Sequence, residues 1–278
     1  MNEVTWEEAV RWFRAQPQHA QAVCENYFDL PVRNAAERYV KSEEFRETLR
    51  LLGAGNGRSV LDLGAGNGIA SFALAKNGWR VTAIEPDPSD EVGAGAIRSL
   101  VQEARLDVSL VLCSGERLLC PDAAFDAAYA RQVLHHALSL DRMVSEAARV
   151  LRSGGRLLAI REHVADDEAQ LAAFRAAHPL HPLYGGESAY PLSAYLNAFR
   201  AAGFRVLEVW GPLESILNFY PGTEAERKRV LAQIACSGRT GIGRWLARIP
   251  LFRKMLIKRT TNRDRTPGRL FSFLLEKP

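Results

Sequence analysis

Cysteine is scarce: among 278 residues there are four, Cys24, Cys113, Cys120 and Cys236. None forms a Cys-x-x-Cys pair or stands at zinc-finger spacing from a histidine. A disulfide scaffold and a structural zinc site of that kind are therefore excluded, and the thiols read as buried or free in a reducing compartment. Long apolar runs are missing too. Stretches such as Leu157 to Ile160 are the longest, far short of the roughly 20 residues that span a bilayer. The first turns carry Glu3, Glu7 and Glu8 where a signal peptide would be cationic and then apolar. The expected location is the cytoplasm. Compositional bias is absent as well. With 47% hydrophobic and 24% charged residues the chain lies outside the disordered, collagenous and coiled-coil classes and can bury a sizeable core. Net charge is +4, but it is unevenly spread: residues 222–269 hold 13 Lys or Arg against 3 Asp or Glu, and the rest of the chain is mildly acidic. A short cationic attachment thus sits on an acidic body, which marks it for a partner or a cover.

Between residues 58 and 163 a short aliphatic run, a Gly- or acid-containing turn and ten to fifteen residues of helical periodicity follow one another repeatedly. That alternation predicts a parallel sheet with crossover helices. Strands are expected over Arg58–Leu63, Trp79–Glu85, Val108–Leu112, Phe125–Ala130 and Arg156–Arg161, with helices over Ile69–Asn77, Gly93–Arg105 and Leu140–Leu151. Further on, Asp167 and Gln170 fit a helix start, Ser193 is placed to cap a helix ending before Gly203, Phe204–Trp210 reads as a sixth strand, and Arg269–Leu275 as a last one. Residues 1–52 show helical spacing and no strand, which suits a helical cap. The expected division is a cap at 1–52, a cofactor-binding domain at 53–212 and 269–278, and a basic helical insertion at 213–268 acting as a substrate lid.

The strongest local signal is Val60-Leu61-Asp62-Leu63-Gly64-Ala65-Gly66-Asn67-Gly68, a buried strand running into three glycines and a helix. Without Cβ atoms the backbone turns tightly and approaches a ligand closely. A dinucleotide turn would read Gly-x-Gly-x-x-Gly and seat a pyrophosphate on the helix amides. Here the third glycine falls one residue early and Asp62 precedes the turn, an acid that repels a pyrophosphate and attracts a cation. Glu85, at the tip of the second strand, can accept both hydroxyls of a ribose. A ligand with a ribose, a cationic group and no phosphate suits the pair.

At these residues the chain resembles the class I S-adenosylmethionine-dependent methyltransferases, in the branch that includes ubiquinone-biosynthesis enzymes. The likeness extends to Cys113-Ser114-Gly115-Glu116, to Pro121 through Asp126, to Val133-Leu134-His135-His136, and to Glu146 through Gly155. It implies an α/β fold: a doubly wound, Rossmann-like, mostly parallel sheet of seven strands whose last runs antiparallel. It also implies S-adenosylmethionine as cofactor. Asp62, Gly64, Ala65, Gly66 and Gly68 would hold its methionine portion, Glu85 its ribose, and Ser114, Gly115 and Glu116 its adenine, with Arg131 and Gln132 under the sulfonium. Many relatives have Asp where Ser114 stands, so a charged contact to the adenine becomes a hydroxyl or backbone one.

Methyl transfer is an in-line displacement at an activated carbon, so the protein mainly aligns the nucleophile and removes its proton. His136 and His163, each just beyond a strand end, are the candidate bases. Glu162 can orient His163 or bind substrate. The segment 178–187 carries His178, His181, Tyr184 and Glu187 and reads as a substrate-facing lid. Its prolines keep the chain extended and no fourth ligand is evident, so no metal is expected there. In the insertion, Ile242, Trp245, Leu246 and Ile249, then Phe252, Met255 and Leu256, lie on helical faces among Arg244, Arg248, Arg253, Lys254, Lys258 and Arg259. Residues 242–259 can cap the site, hold an acidic partner, or lie on the inner face of an anionic membrane. The expected reaction is methylation of a small molecule, most readily at oxygen. An NAD-binding enzyme and a non-catalytic cofactor-binding subunit are the alternatives. Sequence-specific nucleic acid is disfavoured, since Ala130-Arg131-Gln132-Val133 replaces the Asn/Asp-Pro-Pro-aromatic motif of amino-methylating DNA enzymes.

Overall fold

The computed structural model describes residues 4–236 and 249–278, apart from the side chains of residues 235, 236, 250, 253 and 256. Four helices precede the first strand: α1 (Trp6–Ala15), α2 (Ala20–Glu25), α3 (Val32–Lys41) and α4 (Glu43–Leu52). Local chemistry sets their starts. Thr5 and Glu8 close a reciprocal capping box on α1, and the Ser42 hydroxyl accepts the Phe45 amide of α4. Then β1 (Ser59–Leu63), α5 (Ile69–Lys76), β2 (Arg80–Ile84), α6 (Ala94–Ala104), β3 (Val108–Val111), β4 (Phe125–Arg131), α7 (Leu140–Val150) and β5 (Leu151–Val164) alternate. Beyond them lie α8 (Glu168–Ala177), α9 (His181–Tyr184), α10 (Leu192–Ala201), β6 (Arg205–Trp210), α11 (Glu224–Cys236), α12 (Pro250–Arg263) and β7 (Arg269–Glu276).

The seven strands form one sheet in the order β3-β2-β1-β4-β5-β7-β6, with β7 antiparallel to both neighbours and β1 to β5 parallel. All five residues of β1 are buried, as a central parallel strand covered on both faces requires. On one face Leu61, Leu63, Ala128 and Ala130 pack against Val144 of α7 and Tyr195 and Phe199 of α10. On the other, Val60, Val81, Tyr129 and Ile160 pack against Tyr39 of α3, Phe45 of α4 and Phe72 of α5. The chain proceeds outward from β1 through β2 to β3, then returns to lay β4 on the opposite side of β1. This reversal opens a crevice beyond the carboxyl ends of β1 and β4, where ligands of open α/β sheets bind.

The structure departs from the sequence expectations in several places. The fifth strand begins at Leu151, pairs with Phe125, and runs on through Gly154 and Gly155 after a register shift. The helix α10 begins at Leu192, with Pro191 at its N-cap and no side-chain cap, so Ser193 lies inside it. Segment 178–187 is not extended: Pro182 occupies the first turn of α9, a position where its missing N–H costs nothing. Of the expected pair of basic helices, the second corresponds to α12; the first falls on residues outside those described, Ile249 apart. Arg244, Ile242, Trp245, Leu246 and Arg248, with the side chains of Arg253 and Leu256, lie outside the described residues. No described helix is long and apolar enough to cross a membrane.

Candidate functional site

The turn after β1 is left-handed at Gly64 (φ 66°), Gly66 (φ 55°) and Gly68 (φ 87°). At Gly64 a Cβ would also overlap the side chain of Val133, just beyond β4. Ala65 N–H donates to the Ile84 carbonyl at 2.9 Å, which ties the turn to the end of β2. Two buried carboxylates flank it. Asp62 is 2% exposed and accepts the Ser71 hydroxyl at 2.6 Å. Burial pushes its carboxyl up to about 6, against the hydrogen bonds of Ser71. Glu85 accepts the Gly66 amide at 2.7 Å through one oxygen and the Asp87 amide at 2.9 Å through the other. Burial pushes it up to about 7, and the charges of Asp87 and Asp62 add to the rise. The two acids thus lie on either side of the turn, both poorly solvated, with the charge of Asp62 felt at Glu85.

In the loop after β3, Ser114 is exposed, Gly115 is buried with room for no Cβ against Leu63, and Glu116 is half-buried. The Glu116 carboxylate accepts the amides of Leu138 and Ser139 ahead of α7. It therefore braces the loop.

Arg131 is engaged differently from the sequence expectation. Its guanidinium bonds Glu44 of α4 at 2.7 Å and Gln132 at 2.9 Å, and lies over the rings of Tyr27 and Tyr39. Arg161, also buried, stands 3.7 Å from the same Glu44 carboxylate. The charge of Arg131 is thus committed to the helices before β1. No local pattern announces Glu44, which lies 87 residues away in sequence.

Around the carboxyl ends of β4 and β5 the structure gathers a cluster of histidines and carboxylates, with Glu162 and His163 still inside β5, which runs further than expected. The Glu162 side chain is fully buried and does not orient His163. It accepts the backbone amides of Val133 and His135 at 3.2 and 3.0 Å and the His135 ring at 2.7 Å. Burial pushes its carboxyl up to about 7, against those backbone hydrogen bonds. His163 donates from Nδ1 to the Gly268 carbonyl at 2.7 Å and packs on Phe174 and His135. Burial, reinforced by His135, lowers it to about 3, so it is a packed, neutral ring and a poor base. His136 is over one third exposed. Its Nδ1 donates to the Gly186 carbonyl at 3.1 Å and its Nε2 lies 4.0 Å from Glu187. Glu187 also takes the Tyr184 hydroxyl and faces His178 at 3.7 Å. His136, His178, Tyr184, Glu187 and Glu162 are therefore brought together, whereas His181 keeps a buried Nδ1 with no partner among the described residues. The residue that sequence reasoning passed over is His135, whose only signal was its adjacency to His136.

The sequence and the fold are both matched by known proteins. A methyltransferase-domain family model matches residues 61–159. The O-methyltransferase resE of Aspergillus sclerotiorum is 30% identical over 187 residues, which cover 66% of this chain and 68% of that protein. The chain belongs to the class I S-adenosylmethionine-dependent methyltransferases. A ubiquinone biosynthesis O-methyltransferase of Methylocella silvestris is 34% identical over 103 residues, 37% of this methyltransferase but only 39% of that enzyme's length. A solved structure described as a putative sarcosine dimethylglycine methyltransferase from Galdieria sulphuraria covers 97% of the chain and 98% of its own, with a TM-score of 0.60 and 17% identity. At that identity the likeness speaks for the fold alone.

Proposed function

We propose that this methyltransferase moves a methyl group from S-adenosylmethionine to an oxygen atom of a small-molecule acceptor. The observation that carries the cofactor reading is the pair of buried carboxylates, Asp62 and Glu85, on either side of a turn without side chains. Ionised, they suit a sulfonium and the hydroxyls of a ribose. Ser114, Gly115 and Glu116 form the edge against which the adenine rests. Transfer to oxygen is supported by the cluster past β4 and β5, because a hydroxyl acceptor must lose a proton and His136 is the exposed imidazole in reach of one. His163, spent on Gly268, has no such part. The acceptor oxygen approaches the methyl carbon from the His136 side, the new O–C bond forms as the C–S bond breaks, and the electron pair stays on sulfur.

In this reading the helices over residues 4–52 cover the crevice, with His178, Tyr184 and Glu187 on the acceptor side. On α12, Leu251 and Met255 are 78% and 55% exposed beside exposed Lys254 and Lys258. That face suits an anionic membrane surface, where an apolar acceptor is concentrated. Isothermal titration with S-adenosylmethionine, S-adenosylhomocysteine and NAD tests the cofactor, and tritium transfer from labelled cofactor into a metabolite extract tests the acceptor. Saturable binding of NAD alone ends the reading. A labelled product carrying a new methyl ether or ester supports it, and label on carbon or nitrogen refutes the choice of oxygen.

A further inference from the structure

We infer that His135, His136 and Glu187 form a binding site for one divalent first-row transition-metal ion, with a fourth position left open for the acceptor oxygen. The inference rests on the proposed acceptor site and replaces direct proton removal by the His136 ring with ionisation of the acceptor on an ion that the ring holds. One nitrogen from each ring and a Glu187 carboxylate oxygen lie within 4.8 Å of one another. Tetrahedral ligands around such an ion sit about 3.4 Å apart, given bonds of about 2.1 Å. The exposed ring of His136 has freedom to close the remaining gap.

Proton placement makes the argument. Glu162 already accepts two backbone N–H groups, so it takes the His135 Nδ1 proton as an acceptor and leaves Nε2 of that ring as a bare lone pair. The Gly186 carbonyl can only accept, so His136 also carries a proton on Nδ1, and Nε2, the atom turned toward Glu187, is the one left to hold an ion. The Tyr184 hydroxyl and His178 engage the Oε1 atom of Glu187, which leaves Oε2 facing His136. One nitrogen of each ring and one carboxylate oxygen can thus close on a single cation. The outer contacts fit as well: a carboxylate behind one imidazole and a carbonyl behind the other fix the tautomer that a metal ligand needs. Two imidazoles with one carboxylate select transition ions over magnesium or calcium. Three protein ligands leave an open position, as in catalytic rather than structural sites. Coordination of the acceptor hydroxyl there would release its proton to water and leave the oxygen as the nucleophile for the methyl carbon.

The test uses the full-length, untagged protein stripped of metal by a chelator and then titrated with Co²⁺, followed by visible absorption, and with Zn²⁺, followed by calorimetry. The expected result is one ion per chain. His136→Ala and Glu187→Gln should each weaken binding at least about tenfold, and Glu162→Gln, which changes the group behind His135 and the acceptor of the Val133 and His135 amides, roughly 10- to 100-fold. No saturable binding, or affinity that stays within about twofold in both His136→Ala and Glu187→Gln, overturns the site. Methyl transfer that continues in metal-free protein likewise overturns it and leaves the methyltransferase reading standing. Ion binding by a chain that fails to bind S-adenosylmethionine does the reverse.

Discussion

Asp62 and Glu85 are acids held where their charge is poorly solvated, and two measurable behaviours follow. In the empty fold their carboxyls sit at about 6 and about 7, above their ordinary values. The folded state therefore holds protons that the unfolded chain has released. Stability from this source is complete below about pH 4 and is lost as pH rises through about 6 to 7. For Glu85 the rise corresponds to roughly 3 kcal/mol. A sulfonium and ribose hydroxyls select the ionised forms, so cofactor affinity should move the other way, climbing between about pH 5.5 and 8 and then levelling. Glu85→Gln should flatten both trends, as read by thermal melts and by cofactor titration across that range. A cofactor affinity that is independent of pH in the wild-type protein would contradict this account. Gly64 is a separate case at the same scale. Gly64→Ala meets both a left-handed backbone and the Val133 side chain. It should cost roughly 2 kcal/mol or more in urea unfolding and remove measurable cofactor binding.

At the scale of elements, α4 is locked to the end of β4 by one buried carboxylate between two buried guanidiniums, Arg131 and Arg161. Removing the carboxylate leaves both cations without a counter-charge. Glu44→Gln should then destabilise the protein by about 3 to 5 kcal/mol, seen as a shifted denaturant midpoint with an unchanged slope, and more than Arg161→Leu does. This lock also marks where sequence legibility ends. The strand and helix alternation was readable because periodicity and turn residues are local: Ser59–Leu63, Ile69–Lys76 and Arg80–Ile84 lie within a residue or so of expectation. The turn from Gly64 to Gly68 and the acids beside it were readable because they fall in one short stretch and at one neighbouring strand tip. Glu44 with Arg131, Glu162 with His135, and Gly186 with His136 were not. Those pairs are made by packing between distant segments, and the sequence carries no spacing rule for them. Likewise the packing of Leu180, just ahead of α9, against Val10 and Phe13 of α1 has no local signal in the sequence.

At the scale of the whole molecule, the first of the helices before β1 and the segment 178–187 hold each other. Val10 and Phe13 of α1 share a small core with Leu180, and Trp6 packs on Tyr184 with ring centroids 4.6 Å apart. Arg11 and Arg14 pair with Glu91, which fastens α1 to the loop ahead of α6. Tyr184 in turn hydrogen-bonds Glu187 of the acceptor cluster, so opening of α1 is coupled to the position of that carboxylate through a single ring. The coupling predicts a local effect on 178–187. Trp6→Ala should leave global unfolding of the sheet nearly unchanged. It should speed hydrogen exchange in residues 180–187 roughly tenfold, the signature of about 1.4 kcal/mol lost from local closure, while amides of β4 and β5 keep their protection. With the acceptor identified by isotope transfer, the same variant should raise KM for the acceptor and leave cofactor affinity within about twofold, because Asp62, Glu85 and the glycine turn do not touch Trp6. Equal loss of protection across the sheet would mean that α1 is part of one cooperative unit, and the cover would then have no independent motion with which to admit substrate.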